Sequence, residues 1–122
     1  MNIASSYNGV PYIAGGTTKK GMDCSGLVTT CFKEIGIQLP RSSSAMSAKG
    51  EEISLSNIQK GDLLFFNIAR LKGGINHVGL VINVTKDNIE FIHSTTSKGV
   101  ISNSLKEPYW DKAFVKAKRV LN

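Results

Sequence analysis

The chain has 122 residues, 41% of them apolar, and a formal net charge of +6 at pH 7. That length supports one hydrophobic core and not two, and no apolar run approaches the ~20 residues of a membrane-spanning helix. Its lysines and arginines are dispersed and lack the aromatic interleaving of single-strand or RNA binders, so nucleic acid is not expected as a partner, whereas another anionic polymer suits the charge.

Residues 3–7 form a short helical piece. Asn8-Gly9-Val10-Pro11-Tyr12 and the pair Gly15-Gly16 are turn residues, and 17–22 continues as a loop with Lys19-Lys20 at a solvated tip. Met1-Asn2-Ile3-Ala4 has neither the basic nor the apolar segment of an export signal, so none is expected within this stretch.

At Cys24 the pattern changes. Leu27, Val28, Cys31, Phe32 and Ile35 recur at helical spacing, and Gly36 supplies the stop. Asp23 is the expected N-cap. A thiol at a helix start faces unpaired N–H groups and partial positive charge, both of which favour thiolate. Ser25 reads either as part of the site or as a second partner for those N–H groups. Gly26 predicts close approach of another backbone or of a substrate. Cys31 lies two turns from Cys24, ~10.5 Å along the helix, too far for a disulfide, and reads as a core residue.

Leu39-Pro40 breaks the chain, and Arg41-Ser42-Ser43-Ser44 can cap a short helix ending before Gly50. Arg41 reads either as a clamp for a substrate carboxylate or as a solvated arginine. After the Lys60-Gly61-Asp62 turn, 63–66 is a fully apolar strand of the kind buried on both faces. A loop holding Gly73-Gly74 follows. Residues 77–84 alternate, with Val78, Leu80, Ile82 and Val84 on one face and His77, Gly79, Val81 and Asn83 on the other.

A three-residue turn at 85–87 pairs Val84 with Asn88 and therefore Gly79 with His93. His77 then sits diagonally from His93 on one face, within reach of two imidazoles, with Gly79 leaving room for the rings. Further on come a turn at Lys98-Gly99, a strand near Val100-Ile101, a loop or short helix at 107–110, and a last strand over 114–121 whose lysines would protect a sheet edge. Tyr109 and Trp110 read as packing residues.

One cysteine at a helix start and two adjacent histidines suit a thiol hydrolase. Cys24 would attack an acyl carbon from a resting thiolate–imidazolium pair, His77 would act as base and acid, and His93 would orient His77. The Cys24 N–H is a candidate oxyanion donor. Tyr12 could add a phenol donor or simply pack. Zinc is the competing use of the same residues, but no C-x-x-C or H-x-x-x-H spacing supports it, and no metal or other cofactor is expected.

The series Gly9-Val10-Pro11-Tyr12, Gly15-Gly16, Asp23-Cys24-Ser25-Gly26-Leu27, Leu39-Pro40-Arg41, Gly61-Asp62-Leu63-Leu64-Phe65-Phe66, His77-Val78-Gly79 and Phe91-Ile92-His93 resembles the NlpC-like family of bacterial cell-wall cysteine peptidases along nearly the whole chain. The resemblance implies an α+β, papain-like fold, with N-terminal helices that include the nucleophile helix packed on an antiparallel sheet, as one catalytic domain over 1–122. It implies cleavage of peptidoglycan stem peptides, commonly between D-glutamate and a diamino acid, by Cys24, His77 and His93, with Tyr12 near the oxyanion and Asp23, Ser25 and Arg41 around the substrate. It also implies a monomer working outside the cytoplasm, brought there by a signal or lipid anchor outside this sequence. Ile13-Ala14 stands where the family often has a tryptophan, and Ser94 where it often has alanine. These departures keep open an amidase or acyltransferase acting on a different acyl group. A wall-binding module without catalysis is the third reading, disfavoured by the intact triad.

Overall fold

Each apolar pattern buries its stripe against a six-stranded antiparallel sheet, seen here in a computed structural model that describes residues 2–69, 71 and 74–121. Helix α1 (Asn2–Ser5) and a two-stranded ribbon, β1 (Thr17–Thr18) with β2 (Gly21–Met22), precede α2 (Cys24–Glu34). After α3 (Ser43–Met46) come β3 (Glu51–Ile53), a 3₁₀ turn (Leu55–Asn57), β4 (Leu63–Phe66), β5 (His77–Thr85), β6 (Asn88–Thr95), β7 (Gly99–Ser104), α4 (Pro108–Ala113) and β8 (Phe114–Arg119). The strand order is β3-β8-β4-β5-β6-β7. The architecture is α+β, as expected.

Helix α2 crosses one face of β5 and β6, and Leu27, Val28, Cys31 and Phe32 meet Leu63, Phe65, Val78, Leu80 and Ile92 in a buried cluster. On the other face Leu64, Phe66, Val81 and Phe91 pack with Trp110 of α4. Strand β4 is therefore buried on both sides. Apolar burial of this kind contributes roughly 2 kcal/mol per large side chain. Cys31 belongs to the first cluster, its thiol pushed up to about 12, chiefly by burial.

Several expectations need correction. The stretch 17–22 is a ribbon and not a plain loop, with Lys19 and Lys20 at its tip. The last strand is not an edge: β3, too short and too acidic to be read as a strand, pairs with it, setting Glu51 opposite Arg119 and Glu52 opposite Lys118. Lys118 and Arg119 are cross-strand partners of glutamates instead of edge guards, and Lys116 pairs with Phe65 of β4. Arg119 also grips the buried Asp62 through Nε and Nη2, both at 2.8 Å, tying β8 to the turn before β4. Gly73, half of the expected glycine pair in the β4–β5 loop, lies outside the described residues.

The β5–β6 register is the most instructive difference. Thr85 pairs with Asn88, so the turn has two residues and not three, which would shift every downstream pair by one. A bulge at Ile82 then absorbs one residue, and Val81 pairs with Phe91 and Leu80 with Ile92. The expected alignment is thus restored before the histidines are reached. Gly79 makes room for a phenyl ring and not for the imidazoles: a Cβ there would lie 2.7 Å from Phe91 Cδ2.

Candidate active site

The helix start is built by Asp23. Its Oδ1 accepts from the Gly26 N–H at 2.6 Å and its Oδ2 from the Gly15 N–H at 2.9 Å, so one carboxylate caps α2 and holds the preceding glycine loop against it. Gly26 permits this closeness, because a Cβ there would lie 2.0 Å from the Gly16 carbonyl oxygen. Close approach was expected at Gly26, and the partner is backbone. Arg41 closes the group, donating from Nη1 to Ser25 Oγ at 2.6 Å and from Nη2 to Asp23 Oδ2 at 3.1 Å.

Cys24 follows this anchor. Burial pushes its thiol above the ordinary value, and the Asp23 charge acts the same way. The Val78 N–H, reaching the sulfur from β5, works against burial, as do the Ser25 and Cys24 N–H groups at the helix start. The helix start therefore favours thiolate as expected, but desolvation outweighs it. The thiolate of the expected resting ion pair is thus disfavoured by burial.

His77 opens β5 one residue before Val78, and His93 lies near the end of β6. His77 Nε2 and His93 Nδ1 are 2.8 Å apart. His93 Nε2 lies 2.7 Å from Asn103 Oδ1, and Asn103 Nδ2 donates to both carboxylate oxygens of Glu107, at 3.2 and 3.0 Å. His93 is fully buried, which lowers its pKa to about 4 against the smaller opposing effects of Asn103 and Glu107. Trp110 stacks on His77 and meets His93 edge-on.

Cys24, His77, Tyr12, Asn103, Glu107 and Trp110 line one cavity of about 380 Å³, together with Leu71, Tyr109 and residues 94–98 at the end of β6 and in the turn after it. This is the size and mixed polarity of a small-ligand cleft. The Tyr12 phenol is held protonated by burial, by a Cys24 thiolate and by Asp23, in that order. Asp23, Ser25 and Arg41 do not line this cavity. They form the network behind the helix start, although Arg41 remains 43% exposed. Ser94, buried, donates to the Met22 carbonyl at 2.6 Å and ties β6 to the ribbon before Cys24. Ile13 lies across Gly21 on the outer side of that ribbon. Among the described residues, no group of three or more His, Cys, Asp or Glu side chains is arranged as metal ligands, and no helix is long and apolar enough to cross a membrane.

Asn103 and Glu107 escaped the sequence reading, and Trp110 was legible there only as a packing residue. Asn103 was within reach of it: His93 pairs with Ile101 and Phe91 with Asn103, so the parity used for β5 and β6 extends to β7. Ending β7 at residue 101 hid this. Glu107 and Trp110 belong to the following turn and helix, where strand parity carries no information.

A six-stranded antiparallel sheet carrying a cysteine-led helix on one face and paired histidines on two adjacent strands defines a class, the papain-like NlpC/P60 domains. The model of the NlpC/P60 family matches residues 9–119, and the chain belongs to that family. It is 43% identical over 123 aligned residues to an Escherichia coli K12 protein described as murein DD-endopeptidase MepS/murein LD-carboxypeptidase, covering 100% of this chain and 62% of that protein. It is 34% identical to a γ-D-glutamyl-L-lysine dipeptidyl-peptidase of Bacillus cereus, covering 99% of this chain and 35% of the relative. A crystal structure of an NlpC/P60 family protein from Bacillus cereus superposes with a TM-score of 0.88 at 35% identity, covering 99% of this chain and 39% of the other. The chain thus spans less than two thirds of the length of these relatives.

Proposed function

We propose that this chain is the catalytic unit of a peptidoglycan peptidase that works outside the cytoplasm, where its polymer lies, with Cys24 as nucleophile, His77 as base and acid, and His93 as the residue that orients His77. The observation that carries this reading is the meeting of Cys24 and His77 at one cavity, with His93 bonded to Nε2 of the His77 ring at 2.8 Å. The Cys24 proton passes to His77 as sulfur attacks the stem-peptide carbonyl carbon. The oxyanion that forms accepts from the Cys24 backbone N–H and the protonated Tyr12 phenol. When the tetrahedral centre collapses the C–N bond breaks, and the leaving amine takes the proton from the His77 imidazolium, leaving a thioester. Water then attacks that carbonyl while His77 takes its proton, the C–S bond breaks, and the proton returns to the sulfur.

Asp23, Ser25 and Arg41 hold the helix start, and the exposed edge of Arg41 is available to a carboxylate of the stem peptide. The favoured bond joins D-glutamate to a diamino acid, in keeping with the name of the Bacillus cereus relative. The 43% identical relative, named a DD-endopeptidase, supports a second reading in which the bond lies at a cross-link between two D-centres. Transfer of the acyl group to an acceptor other than water uses the same thioester and appears as a product carrying that acceptor.

Mass spectrometry of purified peptidoglycan digested with the chain tests all of this. New termini at D-glutamate support the first bond and new D,D termini the second. Release undiminished in Cys24→Ala would remove the nucleophile from the scheme.

A further inference from the structure

We propose that Asn103 and Glu107 act as an outer positioning pair that fixes which ring nitrogen of His93 carries its proton, and through it which ring nitrogen of His77 carries its own. The proposal rests on the reading of Cys24, His77 and His93 as the working residues. It follows from counting donors and acceptors along one chain of contacts. The Glu107 carboxylate only accepts, as does any ionised carboxylate. Its pKa is lowered by the Ser104 N–H and the Asn103 amide, which keeps it ionised. Both its oxygens contact Asn103 Nδ2, so the amide must turn its NH₂ toward Glu107 and its carbonyl toward His93.

That carbonyl oxygen, 2.7 Å from His93 Nε2, can only accept, so Nε2 carries the hydrogen. A neutral imidazole has one N–H, which leaves His93 Nδ1 as an acceptor. It therefore takes the hydrogen of His77 Nε2 at 2.8 Å. The lone pair of a neutral His77 is then on Nδ1, the nitrogen that takes the Cys24 proton in the proposed scheme. Burial keeps His93 neutral near pH 7, so the chain retains this single polarity. Reversing the Asn103 amide would reverse every step and leave His77 Nδ1 protonated and unable to act as base.

A purely architectural role competes with this one, because Glu107 Oε2 also accepts from the Ser104 N–H at 2.8 Å and closes the turn between β7 and α4. Glu107→Gln separates the two roles. The amide oxygen can still accept from Ser104, but its NH₂ removes the demand that Asn103 point its own NH₂ outward. In the double variant Asn103→Asp with Glu107→Gln, an acceptor-only carboxylate again meets His93 Nε2 and takes the outer amide's hydrogen in turn. Polarity is restored by different atoms. A structural role alone predicts no such rescue.

The protein has two histidines, so ¹⁵N-histidine labelling gives only four ring nitrogens to follow. In the full chain carrying Cys24→Ala we expect Nε2 protonated and Nδ1 bare on both rings at neutral pH. Glu107→Gln should mix the His93 tautomers, Asn103→Leu should abolish the preference, and the double variant should recover the parental pattern. With Cys24 intact, Glu107→Gln should lower kcat by about 10-fold with little change in KM, the low end of what losing an outer partner of a working histidine costs, and the double variant should regain most of it. Folded Glu107→Gln protein with unmixed tautomers, or a double variant no better than the single, overturns the proposal. The nitrogen spectrum needs no turnover, so it fails or succeeds independently of whether Cys24→Ala abolishes digestion.

Discussion

Trp110 stacks on His77 at a centroid distance of 5.5 Å and an interplanar angle of 25°. The same indole meets His93 edge-on at 4.6 Å and 88°, so one side chain fixes the planes of both imidazoles. An aromatic face also stabilises a cation laid over it, and in the proposed scheme His77 is cationic once it holds the thiol proton. Trp110→Leu should keep most of the buried volume, lose the face, and lower kcat/KM by about 10-fold, as removing ~1.4 kcal/mol from the transition state would. Trp110→Phe should recover part of the loss. The measurement is kcat/KM on a soluble stem peptide beside a thermal melt, and equal rates in the leucine variant would show that the stack serves packing alone.

The buried His93 makes stability depend on pH. Its native pKa of about 4 lies below the ordinary value of 6.5, so the unfolded chain takes up a proton that the native chain refuses. Stability from this residue is complete above pH 6.5, declines as the pH falls toward 4, and has no further slope below, where both states are protonated. The full change is about 3 kcal/mol. Urea midpoints measured from pH 7.5 to 3.5 should fall in that window, and His93→Gln should flatten the part of the decline that belongs to this residue.

The sequence signals that read correctly were periodic ones. Leu27, Val28, Cys31 and Phe32 marked the buried stripe of α2, although Ile35, expected to continue it, is exposed at the helix end, and alternation from His77 to Val81 set His77 on the face away from Val78 and Leu80, which pack with that helix. Their proximity also emerged, although by two cancelling departures: the turn has one residue fewer than expected, and the bulge at Ile82 removes one pairing position from β5. A bulge has no signature in a run such as Leu80-Val81-Ile82-Asn83. Strand β3 went unseen because Glu51 and Glu52 are exposed edge residues with no apolar alternation, and what makes them a strand is Lys118 and Arg119 opposite. Trp110 was recognised as packing, but its neighbours could not be read because α4 reaches the histidines through tertiary contact.

Gly26 tests how tightly Cys24 is anchored. An added Cβ would lie 2.0 Å from the Gly16 carbonyl oxygen, a backbone atom, and 2.8 Å from Asp23 Oδ1, which is held in place as the cap of the helix. Gly26→Ala must push the glycine loop away or break the cap that Asp23 makes. Helix propensity alone favours alanine by up to ~1 kcal/mol, but the clash should win, for a net loss of about 2 kcal/mol and a larger fall in activity than stability alone explains. Chemical denaturation and digestion assays on the same preparation separate the two effects. A stabilised variant would mean that the loop yields freely.

The reactivity of Cys24 should depend on His77 more than on the helix. At the helix start the Ser25 and Cys24 N–H groups, and Val78 from β5, all favour thiolate, yet burial outweighs them and holds the thiol above its ordinary value. A proton acceptor beside the sulfur can reverse that balance by turning a lone buried anion into a pair of opposite charges. Iodoacetamide at pH 7 should therefore label Cys24 readily in the native chain and at least about 10-fold more slowly in His77→Ala, where thiolate must form against burial with only backbone donors to help. Raising the pH should restore labelling in the variant, because hydroxide then supplies the missing base. Cys31, buried in the core with its thiol near 12, should resist labelling throughout and serves as the internal control. Equal rates for the native chain and His77→Ala at pH 7 would assign activation to the helix start and the Val78 N–H, and would remove the histidine from the first step.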